Sequence, residues 1–232
     1  MTGKFASGRE YLELSVTHFK VKIFNFIEYL YVIFKYYSNF SFFKADLYLL
    51  HFYLFKSPFS ISKNYLTLIG DKNLYTYGET PLTTLDYIAR KCRLSSKDTV
   101  FELGCGRGRT CIWLNLFIGC SVVGIDFVPG FIGRANQVKD RFHLSGVHFR
   151  EEDILQSDLS GATVIYLYGT CYSSSFIKTL IGHFAELPQG AKFITVSYSL
   201  SEYTSLPLFE VIECFPAKFT WGEADVYLQI KR

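Results

Sequence analysis

No C-x-x-C pair, no internal repeat, no low-complexity tract and no apolar run of the roughly 18 uncharged residues that a membrane-crossing helix needs occurs in this sequence. The six cysteines, at positions 92, 105, 111, 120, 171 and 214, sit singly in apolar or glycine-rich stretches. They read as reduced packing residues and supply no metal site. Excess charge is scarce as well, with a net of +3. Residues 1–69 hold eight Lys and Arg against four Asp and Glu, while the rest of the chain is nearly balanced, sixteen against seventeen. Without a basic cluster in the C-terminal part, no nucleic-acid partner is expected. The opening stretch MTGKFASGREYLELS has scattered charges and no apolar core ending in small residues, so no secretory leader is expected and the sequence predicts a cytoplasmic protein.

Aromatic residues, by contrast, are plentiful and unevenly placed: sixteen of the forty-two Phe, Tyr and Trp lie between residues 19 and 59. Residues 21–37 place Ile23, Phe26, Ile27, Leu30, Ile33 and Phe34 at helical spacing, and a second helix is predicted over 42–55. Glu28, Lys44 and Asp46 would be expensive in a lipid core, so the pair is expected to pack on the main domain near residues 77–80. The alternative reading is a surface that touches a membrane or a partner, because aromatic helices flanked by lysine suit the bilayer interface.

From Thr83 onward the pattern changes. A helix carrying Leu85, Ile88 and Ala89 precedes short β-rich runs separated by helical stretches, the signature of an α/β sheet. Strands are predicted at 99–103, 121–126, 147–150, 163–168, 192–197, 209–213 and 225–230. We therefore expect an N-terminal helical extension over residues 1–69 and one α/β domain over 70–232, a size that buries a substantial core.

The stretch Glu102-Leu103-Gly104-Cys105-Gly106-Arg107-Gly108-Arg109 follows a predicted strand and opens a helix, the context that gives a glycine-rich loop meaning. Glycines let the backbone approach a nucleoside closely. Glu102, at the strand end, would face a cationic amino-acid group but would oppose a pyrophosphate, which favours S-adenosylmethionine (SAM) over a nicotinamide dinucleotide. Eighteen residues after Gly108, at the end of the next strand, Asp126 is placed to accept from both ribose hydroxyls, with Phe127 beside it. After the third strand, Glu152, Asp153 and Ile154 supply acid and aliphatic surface for an adenine. Arg107 and Arg109 are secondary candidates for the cofactor carboxylate.

Residues 102–108, Asp126, Asp153 and the strand Val164-Ile165-Tyr166-Leu167-Tyr168 resemble the class I SAM-dependent methyltransferases over roughly residues 75–232. That resemblance implies a Rossmann-like, seven-stranded, mostly parallel sheet with an antiparallel last strand, and SAM as cofactor. Within the superfamily, Tyr77-Gly78-Glu79-Thr80, Ala162-Thr163-Val164-Ile165, Glu186-Leu187-Pro188-Gln189-Gly190 and Phe219-Thr220-Trp221-Gly222 are similar to the disruptor-of-silencing class of histone lysine methyltransferases. The related mitochondrial ATP-synthase lysine methyltransferases are also similar. The first of these segments closes over the cofactor in that class, which implies cofactor roles for Tyr77, Glu79 and Thr80, and a protein lysine as acceptor. After the fourth strand those histone enzymes carry two asparagines and a phenylalanine, where this chain reads Tyr168-Gly169-Thr170.

Methyl transfer from a sulfonium is an in-line displacement, so alignment supplies much of the acceleration without a strong base. A lysine acceptor must arrive neutral, and an aromatic channel lowers its pKa by desolvation; Tyr168, Thr170 and Tyr172 are the candidates to line it. No Asn/Asp-Pro-Pro-aromatic motif is present, which argues against nucleobase amines. His148 and His183 read as structural. The competing readings are a small-molecule or lipid-head-group acceptor, a SAM-binding regulator without turnover, and a nicotinamide oxidoreductase.

Overall fold

The short β-branched runs assemble into one seven-stranded sheet. Its strands are β1 (Thr99–Leu103), β2 (Ser121–Asp126), β3 (Val147–Glu151), β4 (Val164–Leu167), β5 (Lys192–Val196), β6 (Phe209–Phe219) and β7 (Gly222–Lys231). The computed structural model describes residues 8–70 and 77–232. Residues 75 and 76, at the start of the methyltransferase-like region 75–232, and the first seven residues of the opening stretch lie outside the described residues. The order is β3-β2-β1-β4-β5-β7-β6, with β1 to β5 parallel and β7 antiparallel to both β5 and β6. This is the expected Rossmann-like sheet. Its order reverses between β1 and β4, and ligands of open α/β sheets bind in the crevice at such a switch point, beyond the carboxyl ends of the strands.

Central strands read as near-continuous apolar runs because both faces are covered. On one face, α4 (Leu82–Lys91), α5 (Arg109–Trp113) and α6 (Pro129–Arg141) bury Leu85, Ile88, Trp113 and Phe131 against Val100, Val122 and Val164. On the other, α7 (Ser174–Phe184) packs Ile177, Leu180 and Phe184 on Phe101, Ile165 and Phe193. The last two strands run well past their expected bounds of 209–213 and 225–230. Pro216 does not end β6, because β6 is an edge strand, where a missing N–H is tolerated, and it pairs with β7 as far as Phe219.

Among its described residues the N-terminal part holds three helices rather than the expected pair: α1 (Gly8–Tyr36), α2 (Phe40–His51) and α3 (Pro58–Leu68). Asn39 caps α2 by accepting from the Phe42 N–H, and Ser57 caps α3 by accepting from Ser60, with Pro58 in the first turn. All three helices contact the α/β domain, and their inner residues Val32, Tyr36, Phe42 and Leu49 belong to the same cluster as Trp113 and Phe131. Polar ties fix the seating. Glu28 accepts from the Thr83 N–H at 3.0 Å and from its hydroxyl at 2.5 Å, serving the start of α4 where Pro81 offers no side-chain cap. Tyr36 donates to Asp86 at 3.0 Å, and Asp46 receives both Nε and Nη2 of Arg109 at 2.7 Å.

Candidate functional site

At the switch point, the loop after β1 is lashed to the end of β2. Backbone N–H groups of Gly104 and Cys105 donate to the Ile125 carbonyl at 2.8 and 3.0 Å. The Asp126 carboxylate accepts from Gly106 N–H and, on its other oxygen, from Val128 N–H, both at 2.9 Å. Gly104 and Gly106 have φ of +80° and +53°, a region glycine enters without penalty. Side chains there would meet aromatic rings: a Cβ on Gly104 lies 3.0 Å from the Tyr172 hydroxyl, and one on Gly106 lies 3.2 Å from the Tyr77 ring. These two tyrosines cover the loop, their side chains close over the two glycines. Gly108 answers to packing, since a Cβ there would run into Phe149.

Two buried carboxylates flank this cradle, and among the described residues no cation lies against either. Glu102 accepts from the Thr110 hydroxyl at 2.6–2.7 Å and from the Cys111 thiol at 3.0 Å. Burial pushes its pKa up to about 7 from 4.5, with the Cys111 and Thr110 hydrogen bonds pulling down. Burial likewise raises Asp126 to about 6 from 3.8, against the Val128 and Gly106 N–H bonds. A carboxylate held this way favours a cationic ligand group that restores its charge.

The segment over the cleft is clamped by charge. Glu79 takes Nε and Nη2 of Arg107 at 2.5 and 2.7 Å and the Tyr77 hydroxyl at 2.5 Å. Burial works against ionisation of Glu79, but the Arg107 charge and hydrogen bonds from Arg107 and Tyr77 carry its pKa below the ordinary value. Thr80 pairs with the Tyr166 hydroxyl at 2.5 Å. Arg107 and Arg109 are thus committed to Glu79 and Asp46, and neither is the bare cation that the loop sequence suggests. Cys105 is buried with its thiol against the backbone of Gly106. Phe127 is partly exposed, 5.7 Å from the ring of Tyr65 on α3. Asp153 is exposed and accepts from the Leu155 N–H, Glu152 donates its N–H to the Asp126 carbonyl, and Ile154 is buried in the α7-side cluster.

A cavity of about 500 Å³ opens beside this cleft, between residues 77–81, the start of α3, Asn25 and Tyr29 of α1, and the β6–β7 turn. Tyr168, at the end of β4, lines it and accepts a 2.6 Å hydrogen bond from Trp221 Nε1. The three residues expected to share an acceptor channel are dispersed. The turn closed by Tyr172 N–H to the Gly169 carbonyl sends Thr170 to solvent and folds Tyr172 back over Gly104, leaving Tyr168 in the cavity. The α1 residues of the cavity carry no local sequence signal, because they arrive by tertiary packing.

Residues 94–177, a little over a third of the chain, match the family model of a methyltransferase domain. The chain is 24% identical over 120 residues to the sterol 24-C-methyltransferase of Kluyveromyces lactis, covering 50% of this chain and 32% of that one. It is 25% identical over 111 residues to the methyltransferase phqN of Penicillium fellutanum, covering 46% and 34%. The chain thus spans about a third of the length of these curated relatives. An RNA methyltransferase from Salinibacter ruber in complex with S-adenosyl-L-homocysteine has a TM-score of 0.55 at 22% identity, over 66% of this chain and 93% of that one. Magnesium protoporphyrin IX methyltransferase from Synechocystis, with bound SAM, has a TM-score of 0.54 at 14% identity, over 76% and 98%. The chain has the fold of the class I SAM-dependent methyltransferases, and the matched segment carries its glycine loop, Glu102 and Asp126.

The raised carboxylates give a pH signature. Glu102 and Asp126 bind protons more tightly folded than unfolded, so their contribution to stability is fully present below their unfolded values and is lost as pH rises through about 6 and about 7. Affinity for a ligand with a cation at Glu102 moves the other way. SAM binding is expected to strengthen several-fold as pH rises through about 7 in the wild type, and to stay flat in Glu102→Gln. Calorimetric titration across that range checks it; a wild-type affinity that ignores pH removes Glu102 from the cofactor's surroundings.

Proposed function

We propose that this chain is a SAM-dependent methyltransferase that holds SAM over Gly104 and Gly106 and receives a small-molecule or lipid-head-group acceptor in the cavity at Tyr168. The observation that carries the reading is the pair of buried carboxylates, Glu102 and Asp126, flanking a glycine cradle at the sheet's switch point. SAM, when bound, supplies an electrophilic methyl group. Glu102 is suited to the amino group of its methionine part and Asp126 to the ribose, while Tyr77 and Tyr172 are positioned to exclude water from above. Burial keeps the Tyr168 phenol protonated, and because Trp221 donates to its oxygen, its own O–H is left to orient an acceptor.

The cavity's volume, about 500 Å³, suits a whole small molecule and exceeds what one lysine side chain fills. Its aromatic lining and the likeness at residues 77–80 support lysine as the second reading. A binding-only protein would need no such cavity. The distinguishing experiment is incubation of the full chain with methyl-labelled SAM and a cell lysate, followed by separation of lipid, small-molecule, protein and nucleic-acid fractions. Label in the lipid or small-molecule fraction is expected; label in protein alone transfers the reading to lysine, and absence of label in every fraction supports a regulator.

A further inference from the structure

The outward face of α1 is apolar from end to end of its described side chains. At about 100° per residue, Phe19, Ile23, Phe26, Leu30, Ile33 and Phe34 fall on one side, opposite the inward Val32 and Glu28. Phe34 is 82% exposed, and Phe19 and Phe26 are each 64% exposed. A strip of this length is far more than the scattered apolar residues a surface normally shows. Lys20 and Lys22 border it on opposite edges, both exposed.

Between residues 16 and 63 the chain carries lysines at 20, 22, 35, 44, 56 and 63, and only two carboxylates, Glu28 and Asp46. Both carboxylates turn inward, onto Thr83 and Arg109. Lys35 pairs with Asp86 at 2.5 Å, and what remains outward along α1 is apolar surface edged by Lys20 and Lys22. Phe55, 97% exposed beside Lys56 in the turn before α3, repeats the pairing. No described helix is long and apolar enough to cross a membrane.

We propose that α1 lies lengthwise on an anionic lipid bilayer, with its phenylalanines at the acyl boundary and its lysines among the head-group phosphates. Charge complementarity selects this occupant: anionic head groups neutralise Lys20 and Lys22, whereas two copies pairing strip to strip would set lysine edges against each other. A fluid surface also accommodates a convex row of protruding rings, which a rigid partner meets only with a matching groove. Docking stands on the surface alone. If the cavity at Tyr168 is the acceptor site, docking sets its Tyr29 and Asn25 wall beside the head groups, where an amphiphile enters without leaving the membrane.

The test is flotation of the full chain with vesicles of phosphatidylcholine mixed with phosphatidylglycerol, and with phosphatidylcholine alone. Wild type floats with the mixed vesicles and less with the neutral ones. Phe26→Glu combined with Phe34→Glu stays at the bottom of the gradient, while its melting curve and SAM binding match wild type. Lys20→Glu combined with Lys22→Glu weakens binding to the mixed vesicles about tenfold or more. The proposal is overturned if wild type stays at the bottom with mixed vesicles, or if the phenylalanine variant floats equally. It is also overturned if light scattering finds a dimer that the same variant dissolves, since a second copy then covers the strip. Flotation without SAM binding would sink the cofactor assignment and leave docking intact.

Discussion

Gly106→Val abolishes SAM binding while the chain remains folded. Gly106 sits at φ +53°, where a β-branched residue is strained, and its added Cβ would stand 3.2 Å from the Tyr77 ring. Strain of this kind costs about 1–3 kcal/mol, against a typical folding stability of about 5–15 kcal/mol. The fold tolerates that cost. The cleft does not, because the isopropyl group fills the space between loop and ring and pulls on the N–H bond from Gly106 to Asp126. A cooperative melt with no measurable heat on SAM titration is expected; binding at wild-type strength would place the cofactor elsewhere.

Asp46→Ala produces the largest loss of stability. Asp46 is buried and is the bidentate partner of Arg109, itself buried, so truncation strands a guanidinium in the core and removes the acceptor of the Tyr37 hydroxyl. Breaking a buried pair on one side costs about 3–5 kcal/mol, which in a chain of this size lowers Tm on the order of 10 °C. Arg109→Leu combined with Asp46→Ala restores part of the loss by removing the stranded charge. Thermal unfolding of the three variants checks this; a drop within about 1 kcal/mol for Asp46→Ala would mean that water reaches Arg109. Because Arg109 opens α5 directly after Gly108, the same pair couples the N-terminal helices to the glycine loop.

Legibility in the sequence followed the range of the forces involved. Strands β1 and β2 were readable to the residue because buried runs ending in Glu102-Leu103 and Asp126 are local patterns. The glycine loop followed from them, whereas the seven-stranded, mostly parallel sheet was implied by the family resemblance and the strand order comes from the structure alone. Helix α3 was missed although Ser57-Pro58 is a sound start signal, since the adjacent aromatic run drew the second helix on to Phe55. The ties between Arg109 and Asp46, and between Arg107 and Glu79, join distant segments, and no local pattern announces them. They turn loop arginines that look available for a ligand into supports for neighbouring segments. The exposure of Thr170, away from Tyr168, has a similar origin: Tyr172 packs over Gly104 and Gly169 in the turn after β4, a contact fixed only in three dimensions.

Calorimetric titration of SAM into the wild type and into Asp126→Ala, with a nicotinamide dinucleotide as comparison, tests the central claim most directly. The wild type is expected to bind SAM in the micromolar range and to ignore the dinucleotide. Asp126→Ala, having lost charge-assisted hydrogen bonds worth about 1.5–3 kcal/mol each, is expected to bind SAM at least about tenfold more weakly. Equal affinity in the two proteins, or a wild type that prefers the dinucleotide, would contradict the assignment of the Glu102 and Asp126 cleft to SAM.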